Sequence, residues 1–233
     1  MSMKNLIGIS GHIGSGKDTV GTIIQYLQDE GEWYSFDDFV ANSYPELASE
    51  WKIRKFADKL KDIVCMLIGC TREQLEDPVF KNTPMNSDWD DSHGISTPRE
   101  LLQILGTNCG RDMIHTNIWV NALFADYKPI DNRSLQDPAA EDTFPNWIIT
   151  DMRFPNELEA VVKREGLTIR VRRDTKEYFQ LKNRNGSITH ATLHPSETAL
   201  DDATFDYIIN NNGTISDLIE DVKRILIHER IIK

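Results

Sequence analysis

Seven residues, Gly11-His12-Ile13-Gly14-Ser15-Gly16-Lys17, constrain this chain more than any other stretch. They follow a short apolar run, Leu6-Ile7-Gly8-Ile9, and precede Val20, Ile23, Ile24 and Leu27, which recur at i, i+3, i+4 and i+7. The order is strand, glycine-rich turn, amphipathic helix. In that context a G-x-x-x-x-G-K spacing has a physical meaning. Without Cβ atoms at Gly11, Gly14 and Gly16 the backbone wraps closely round a phosphate. Its N–H groups, those around Ser15 included, converge on the oxygens, and the helix N-terminus adds positive potential. Lys17 then reaches the outer phosphates of a nucleoside triphosphate such as ATP. The bland alternative, a surface turn with a solvated lysine, explains neither the strand before it nor the helix after it.

The general pattern places Ser or Thr directly after the lysine to meet Mg²⁺. This chain has Asp18 there and Thr19 next. Either the Asp18 carboxylate holds the ion, directly or through water, or Thr19 turns toward the phosphates; spacing alone leaves both open.

Further along, Leu60, Ile63, Val64, Leu67 and Ile68 predict a second helix stopped by Gly69, and Gly31 is placed to stop the first. Residues 76–98, rich in Asp, Asn, Ser and Pro, read as a long loop or mobile insertion. Pro98 stands where a helix begins, and Leu101, Leu102 and Leu105 give it an apolar face toward Gly106. After a polar connector at 128–146, Trp147-Ile148-Ile149-Thr150 predicts a buried strand ending at Asp151. A helical period through Leu158, Val161 and Val162 closes at Gly166, and Leu167 to Arg172 alternates as a strand. Tyr207-Ile208-Ile209 is another, followed by an Asn212-Gly213 turn, Ser216 as helix cap and a last helix through Leu218, Ile219, Val222, Ile225 and Leu226. Strands alternating with crossover helices predict an α/β fold of three layers, with a mainly parallel sheet covered on both faces. The expectation is a single domain spanning 1–233.

Charge narrows the function. Asp and Glu number 37 against 26 Lys and Arg, a net charge of −11. That argues against broad adhesion to nucleic acid polymers or anionic membranes. No apolar run approaches a membrane span, and the first residues lead into a strand instead of a signal peptide, so a cytoplasmic location is expected. Cys65, Cys70 and Cys109, an odd number with no CxxC pair, read as reduced and buried thiols. His190 and His194 have i,i+4 spacing but lack the HExxH glutamate, so a metal-only site is rejected.

In an acidic chain, clustered cations are informative, because phosphoryl transfer is mostly positioning and charge stabilisation. The candidates are Lys61, Lys81, Arg99, Arg153, Arg170, Arg172 and Arg173, each weighed against an ordinary solvated charge. Arg170 and Arg172 project to one side of their strand and Arg173 to the other, so they do not all serve one site. Asp151, at a strand end beside Arg153, is placed either to face a metal and the attacking group or to cap the next helix.

Taken in order, these motifs resemble the bacteriophage-type deoxynucleoside monophosphate kinases, a branch of the P-loop nucleoside monophosphate kinases. Ser15-Gly16-Lys17-Asp18-Thr19 resembles that family's phosphate loop, and Phe56-Ala57-Asp58-Lys59-Leu60-Lys61-Asp62 its second helix start. Arg99, Gln103-Ile104-Leu105-Gly106-Thr107 and Trp119-Val120 resemble its central block. Asp151-Met152-Arg153 with Glu157 resembles its D-x-R segment, and His194-Pro195-Ser196-Glu197 and Asp206 through Gly213 its C-terminal part.

The resemblance implies a P-loop NTPase fold with an acceptor-binding insertion at 56–125 and a closing flap at 174–195 that contains Lys182, Arg184 and His190. It implies Mg²⁺-dependent transfer of the ATP γ-phosphoryl group to a deoxynucleoside monophosphate. Lys17, Asp18 and Thr19 would serve donor phosphates and metal, Asp151 the metal or acceptor, and Arg153 the transferring group. Lys61 and Lys81, with Arg99 and Gln103 in the same site, would hold the acceptor. Trp119 would stack on or wall off its base, or serve as core, and Asn212-Gly213 would approach adenine. A homodimer follows by resemblance alone. Two other classes compete: another small-molecule P-loop kinase, for phosphomevalonate or a cofactor precursor, and a nucleotide-driven ATPase or switch. A GTPase switch would carry N-K-x-D, which this sequence lacks.

Overall fold

The computed structural model describes residues 4–28, 34–42, 49–89, 95–133, 141–174 and 198–232. Strand β1, Leu6–Gly11, is buried along its whole length. Helix α1, Lys17–Gln28, buries Val20, Ile23 and Ile24, the stripe its sequence period predicts. Helix α2, Phe36–Ala41, starts at a reciprocal cap between Ser35 and Asp38, and β2 spans Lys52–Arg54.

Among the described residues, five α-helices and one π-type helix follow. Helix α3, Asp58–Ile68, stops because Gly69 turns left-handed with φ 69°. Helix α4, Arg72–Glu76, is capped by Thr71 and Gln74, and α5, Pro78–Asn82, by the Asp77 carboxylate, which accepts from the Val79 and Phe80 amides. After a short 3₁₀ turn at Ser87–Trp89 comes α6, Pro98–Gln103, running into a widened π-type helix, Ile104–Ile114. Helix α7, Ile118–Phe124, closes this group. The chain then forms β3, Trp147–Met152; α8, Pro155–Val162; β4, Leu167–Arg172; β5, Tyr207–Asn210; and α9, Ile215–His228.

The sheet order is β2-β3-β1-β4-β5 and every pairing is parallel. On one face Ile7 and Ile9 pack with Val20, Ile23 and Ile24 of α1 and with Leu218, Val222 and Leu226 of α9. Each fully buried aliphatic side chain stabilises the fold by about 1.5–3 kcal/mol. On the other face the missing Cβ of Gly8 admits Val161 of α8, whose methyls would stand 3.1 Å from a β-carbon there. β1 thus lies at the centre, between β3 on one side and β4 on the other. A parallel sheet opens its ligand crevice at that place, beyond the carboxyl ends of the strands. Gly11 ends β1 at that edge.

Two compact units divide the chain: Met1–Lys55 with Tyr127–Lys233, which holds the sheet, and Phe56–Asp126, which holds α3 to α7 and the π-type helix. Among the described residues no helix is long and apolar enough to cross a membrane.

Several expectations are corrected. Residues 76–98 are not one loop, since α5 lies inside them; its five residues are too few to show a period. β2, α2 and α4 were hidden for the same reason. β4 is buried on both faces up to Val171, not alternately exposed, because helices cover both sides of a central parallel strand. Thr214, not Ser216, caps α9, with Asp217 returning the bond. The cysteines are half-buried, and Cys65 and Cys70 lie Sγ to Sγ at 3.8 Å. Gly31, His190, His194, the block to Glu197 and the flap residues Lys182 and Arg184 lie outside the described residues.

Candidate active site

The turn between β1 and α1 has the backbone its glycines allow. Gly14 and Gly16 adopt φ of 74° and 93°, a region that costs an L-residue with a side chain about 1–2 kcal/mol. A β-carbon on Gly11 would stand 2.3 Å from Ser15 Oγ and 2.7 Å from the Val171 carbonyl, so only glycine fits. The Ser15 hydroxyl is buried and, among the described residues, has no hydrogen-bond partner. Leaving such a group unsatisfied costs about 1–3 kcal/mol. A ligand oxygen at the cradle would remove that cost.

Lys17 opens α1 with only 8% of its surface exposed, and its Nζ lies 3.8 Å from Asp18 Oδ2. Asp18 Oδ1 receives Lys55 Nζ at 2.8 Å and the Thr150 hydroxyl at 2.8 Å. Partial burial opposes ionisation of Asp18, but the hydrogen bond and charge of Lys55, the Thr150 hydroxyl and Lys17 outweigh it. Its carboxyl therefore sits below the ordinary value. Thr19 is half-buried on the next position. Two lysines, a carboxylate and a hydroxyl thus converge beside the loop, drawn from α1, the residue after β2, and β3.

Asp151 is on β3, which continues to Met152, so the carboxylate precedes the strand end by one residue. Asp151 is not the cap of α8: Glu157 Oε2 accepts from the Arg153 and Phe154 amides at 2.6 and 3.0 Å and fills that role. This removes the structural explanation for Asp151 as helix cap. Arg153 is half-buried directly after the strand.

On the other side of β1, the side chain of Arg170 is 6% exposed. It donates to Ser10 Oγ at 2.7 Å and to Asp201 Oδ1 at 2.6 Å, lies 3.2 Å from His12 Nε2, and stacks over the Phe205 ring. It is a brace beneath the loop, while Arg172 is exposed. Asn212 is clasped to Asp174, its Nδ2 on the carboxylate and its Oδ1 on the Asp174 amide. Gly213 has no left-handed φ, and a β-carbon there would stand 2.7 Å from Asp217 Oδ2. The residue that reaches the loop is Asn211, whose Nδ2 donates to the Ser15 carbonyl at 2.9 Å.

Within the helical unit, Lys61 Nζ meets Glu76 Oε1 at 2.6 Å, and Lys81 Nζ lies 3.8 Å from Glu76 Oε2. Arg72 stands 3.5 Å from Glu76 but is shared with Asp58 at 3.0 Å and Asp62 at 3.2 Å. Arg99 donates to Asn82 Oδ1 at 2.8 Å at the C-terminus of α5, one residue beyond Lys81. Burial, then the charges of Lys61 and Arg99, pull the Lys81 ammonium below its ordinary value against the attraction of Glu76. Burial would raise the Glu76 carboxyl, but Lys61, Lys81 and Arg72 bring it below its ordinary value. Lys61, Lys81 and Arg99 are thus neighbours, and Glu76 and Arg72 are the partners sequence reasoning missed. Gln103 is exposed at the end of α6. Trp119 is 6% exposed, with its indole N–H on the Gly106 carbonyl at 2.8 Å, a core position.

A five-stranded parallel sheet of this order, a glycine cradle at the end of its central strand and a nearly buried lysine opening the next helix define a P-loop kinase fold. The deoxynucleotide monophosphate kinase family matches residues 72–222, and the chain belongs to that family. The match begins after the glycine loop, so the two observations are independent. The deoxynucleoside-5′-monophosphate kinase of Escherichia phage T5 is 25% identical over 67% of this chain and 71% of its own. A solved dephospho-CoA kinase from Campylobacter jejuni is 15% identical, with a TM-score of 0.42 over 98% of each chain. The activity is that of an ATP-dependent phosphotransferase whose acceptor is a deoxynucleoside monophosphate.

Proposed function

We propose that the cradle from Gly11 to Lys17 holds the ATP phosphates, with Lys17 drawing charge from the outer ones. The reading is carried by the buried Ser15 hydroxyl, which has no partner among the described residues, in a loop whose glycines keep the space open. Arg153 is assigned to the transferring group and Asn212-Gly213 to the rim near adenine. The acceptor phosphate is assigned to Lys61, Lys81 and Arg99, with exposed Gln103 assigned to the acceptor and Trp119 to the core that supports it.

Asp18, Thr19, Thr150 and Asp151 offer hard oxygen donors beside the loop, the chemistry that Mg²⁺ accepts when phosphates supply its remaining ligands. When bound, the ion neutralises charge on the donor phosphates. Asp18 or Asp151 would hold it, while Lys55 keeps Asp18 ionised.

The acceptor is already an oxyanion near neutral pH, so no strong general base is needed. Its oxygen forms the new P–O bond as the bond from the γ-phosphorus to the bridging oxygen breaks, and ADP leaves with that electron pair. The protein supplies position and positive charge. ATP and nucleotides are cytoplasmic metabolites, so the cytoplasm is the proposed location, the host cytoplasm for a phage-encoded chain.

ADP release with a panel of deoxynucleotides, ribonucleotides and other phosphorylated acceptors tests the assignment. Turnover with at least one deoxynucleoside monophosphate, and slow ATP loss without acceptor, is expected. No turnover with any deoxynucleotide would overturn it.

A further inference from the structure

We infer that Asn211 is a positioning residue for the donor phosphates, acting through the peptide plane between Ser15 and Gly16. The inference rests on the proposed reading of the loop as the ATP cradle. Asn211 follows β5, is only 8% exposed, and donates its own backbone N–H to the Arg172 carbonyl at 2.7 Å. Its backbone is therefore tied to the carboxyl end of β4. From there its carboxamide Nδ2 donates to the Ser15 carbonyl at 2.9 Å.

A trans peptide is planar, with C=O and N–H pointing in opposite directions. Holding the Ser15 oxygen toward Asn211 turns the following N–H, that of Gly16, to the opposite side. An amide cradle depends on such donors being aimed before the ligand arrives, because reorganisation at binding subtracts from affinity. Gly16 is part of the same device: a β-carbon there would lie 2.4 Å from Asn211 Nδ2, so only glycine lets the carboxamide approach this closely. The function needs a donor at this point. Aspartate has nearly the same shape but donates nothing, and it would set a negative charge behind a phosphate site. Asn212 does not share the task, since both ends of its side chain are on Asp174.

Asn211→Ala and Asn211→Asp test this by steady-state kinetics, with thermal melting measured in parallel. The ATP KM should rise about tenfold in N211A, the scale of one lost hydrogen bond that leaves its partner unsatisfied, and further in N211D. The acceptor KM at saturating ATP should stay within about twofold, because the acceptor groups lie elsewhere. A role confined to stability would lower the melting temperature without this split between substrates or the order Asp worse than Ala. Should N211A fail to fold, Asn211→Ser reads the same loss with a smaller change. An ATP KM within about twofold of the parent in N211A, or an equal rise for both substrates, would overturn the inference. ATP binding by calorimetry separates it from the functional reading: it reports the Asn211 effect even if no deoxynucleotide is turned over.

Discussion

Arg170→Met tests whether the brace under the loop is a working part of the fold. Methionine keeps an apolar stem of similar length while deleting the guanidinium. The Arg170 side chain is 6% exposed and that of Asp201 26%, with 2.6 Å between Nη2 and Oδ1. Breaking a buried ion pair by removing one partner costs about 3–5 kcal/mol. Water reaching Asp201 through its exposed quarter, and His12 Nε2 3.0 Å from the same Asp201 Oδ1, lower that to about 2–3 kcal/mol, since exposure and a remaining partner both offset the lost guanidinium. Ser10, 1% exposed, also loses its donor, adding about 1 kcal/mol. The sum is about 3–4 kcal/mol, or roughly a 10 °C fall in melting temperature for a chain this long. Differential scanning calorimetry and urea titration at neutral pH measure it. Adding Asp201→Asn removes the carboxylate charge left with only His12 beside it, so the double variant should recover part of the loss. A single-variant loss under about 1 kcal/mol, or strictly additive losses in the double variant, would refute the reasoning.

Lys17→Ala and Arg153→Ala should each lower turnover by about 10²-fold or more, with melting temperature unchanged; near-normal turnover in R153A removes Arg153 from the site. Lys81→Ala should raise chiefly the acceptor KM, and an unchanged value returns Lys81 to the role of a solvated charge. Asp18 has a folded carboxyl held below its ordinary value of 3.8, so its contribution to stability is complete above that value and is lost as pH falls through the lower, folded one. Acid titration of Asp18→Asn against the parent should therefore show a constant stability gap from pH 8 down to about 5, closing below about 4. A gap that closes near neutrality would contradict the Lys55 and Thr150 contacts as its source.

The parts legible in the sequence were those with a period or a fixed spacing. The central strand Leu6–Gly11, the stripe of α1, Gly69 as a helix stop and Pro98 as a helix start all obey local rules that need no tertiary partner. What escaped depends on parallel neighbours far away in sequence. Lys55 follows a three-residue strand with no pattern of its own, and only the pairing of β2 with β3 brings it to Asp18. Asn211 stands in a run of three asparagines, where local rules favour Asn212-Gly213; the register of β5 on β4 decides which asparagine faces the loop. Glu76 looked like one more surface acid, because its two lysines come from other helices. Asp151 shows the converse, where one distant-looking residue, Glu157, already satisfied the helix start.

These carboxylates bear on how an acidic protein handles anionic substrates. Lysines set close together repel, and burial adds to the pressure to lose a proton, as at Lys81. A carboxylate between them relieves both effects: Asp18 stands between Lys55 and Lys17, and Glu76 between Lys61 and Lys81. The ammonium groups are held in place beside the carboxylates. Each carboxylate nevertheless carries one charge for two ammonium groups, so each cluster keeps an excess of positive charge. A phosphate brings up to two charges and three acceptor oxygens, and it therefore has more to gain at such a cluster than a carboxylate or a monoanion does. On the proposed reading, the same acids that give the chain its net charge of −11 make its phosphate sites selective, by holding the lysines in place while neutralising only part of their field.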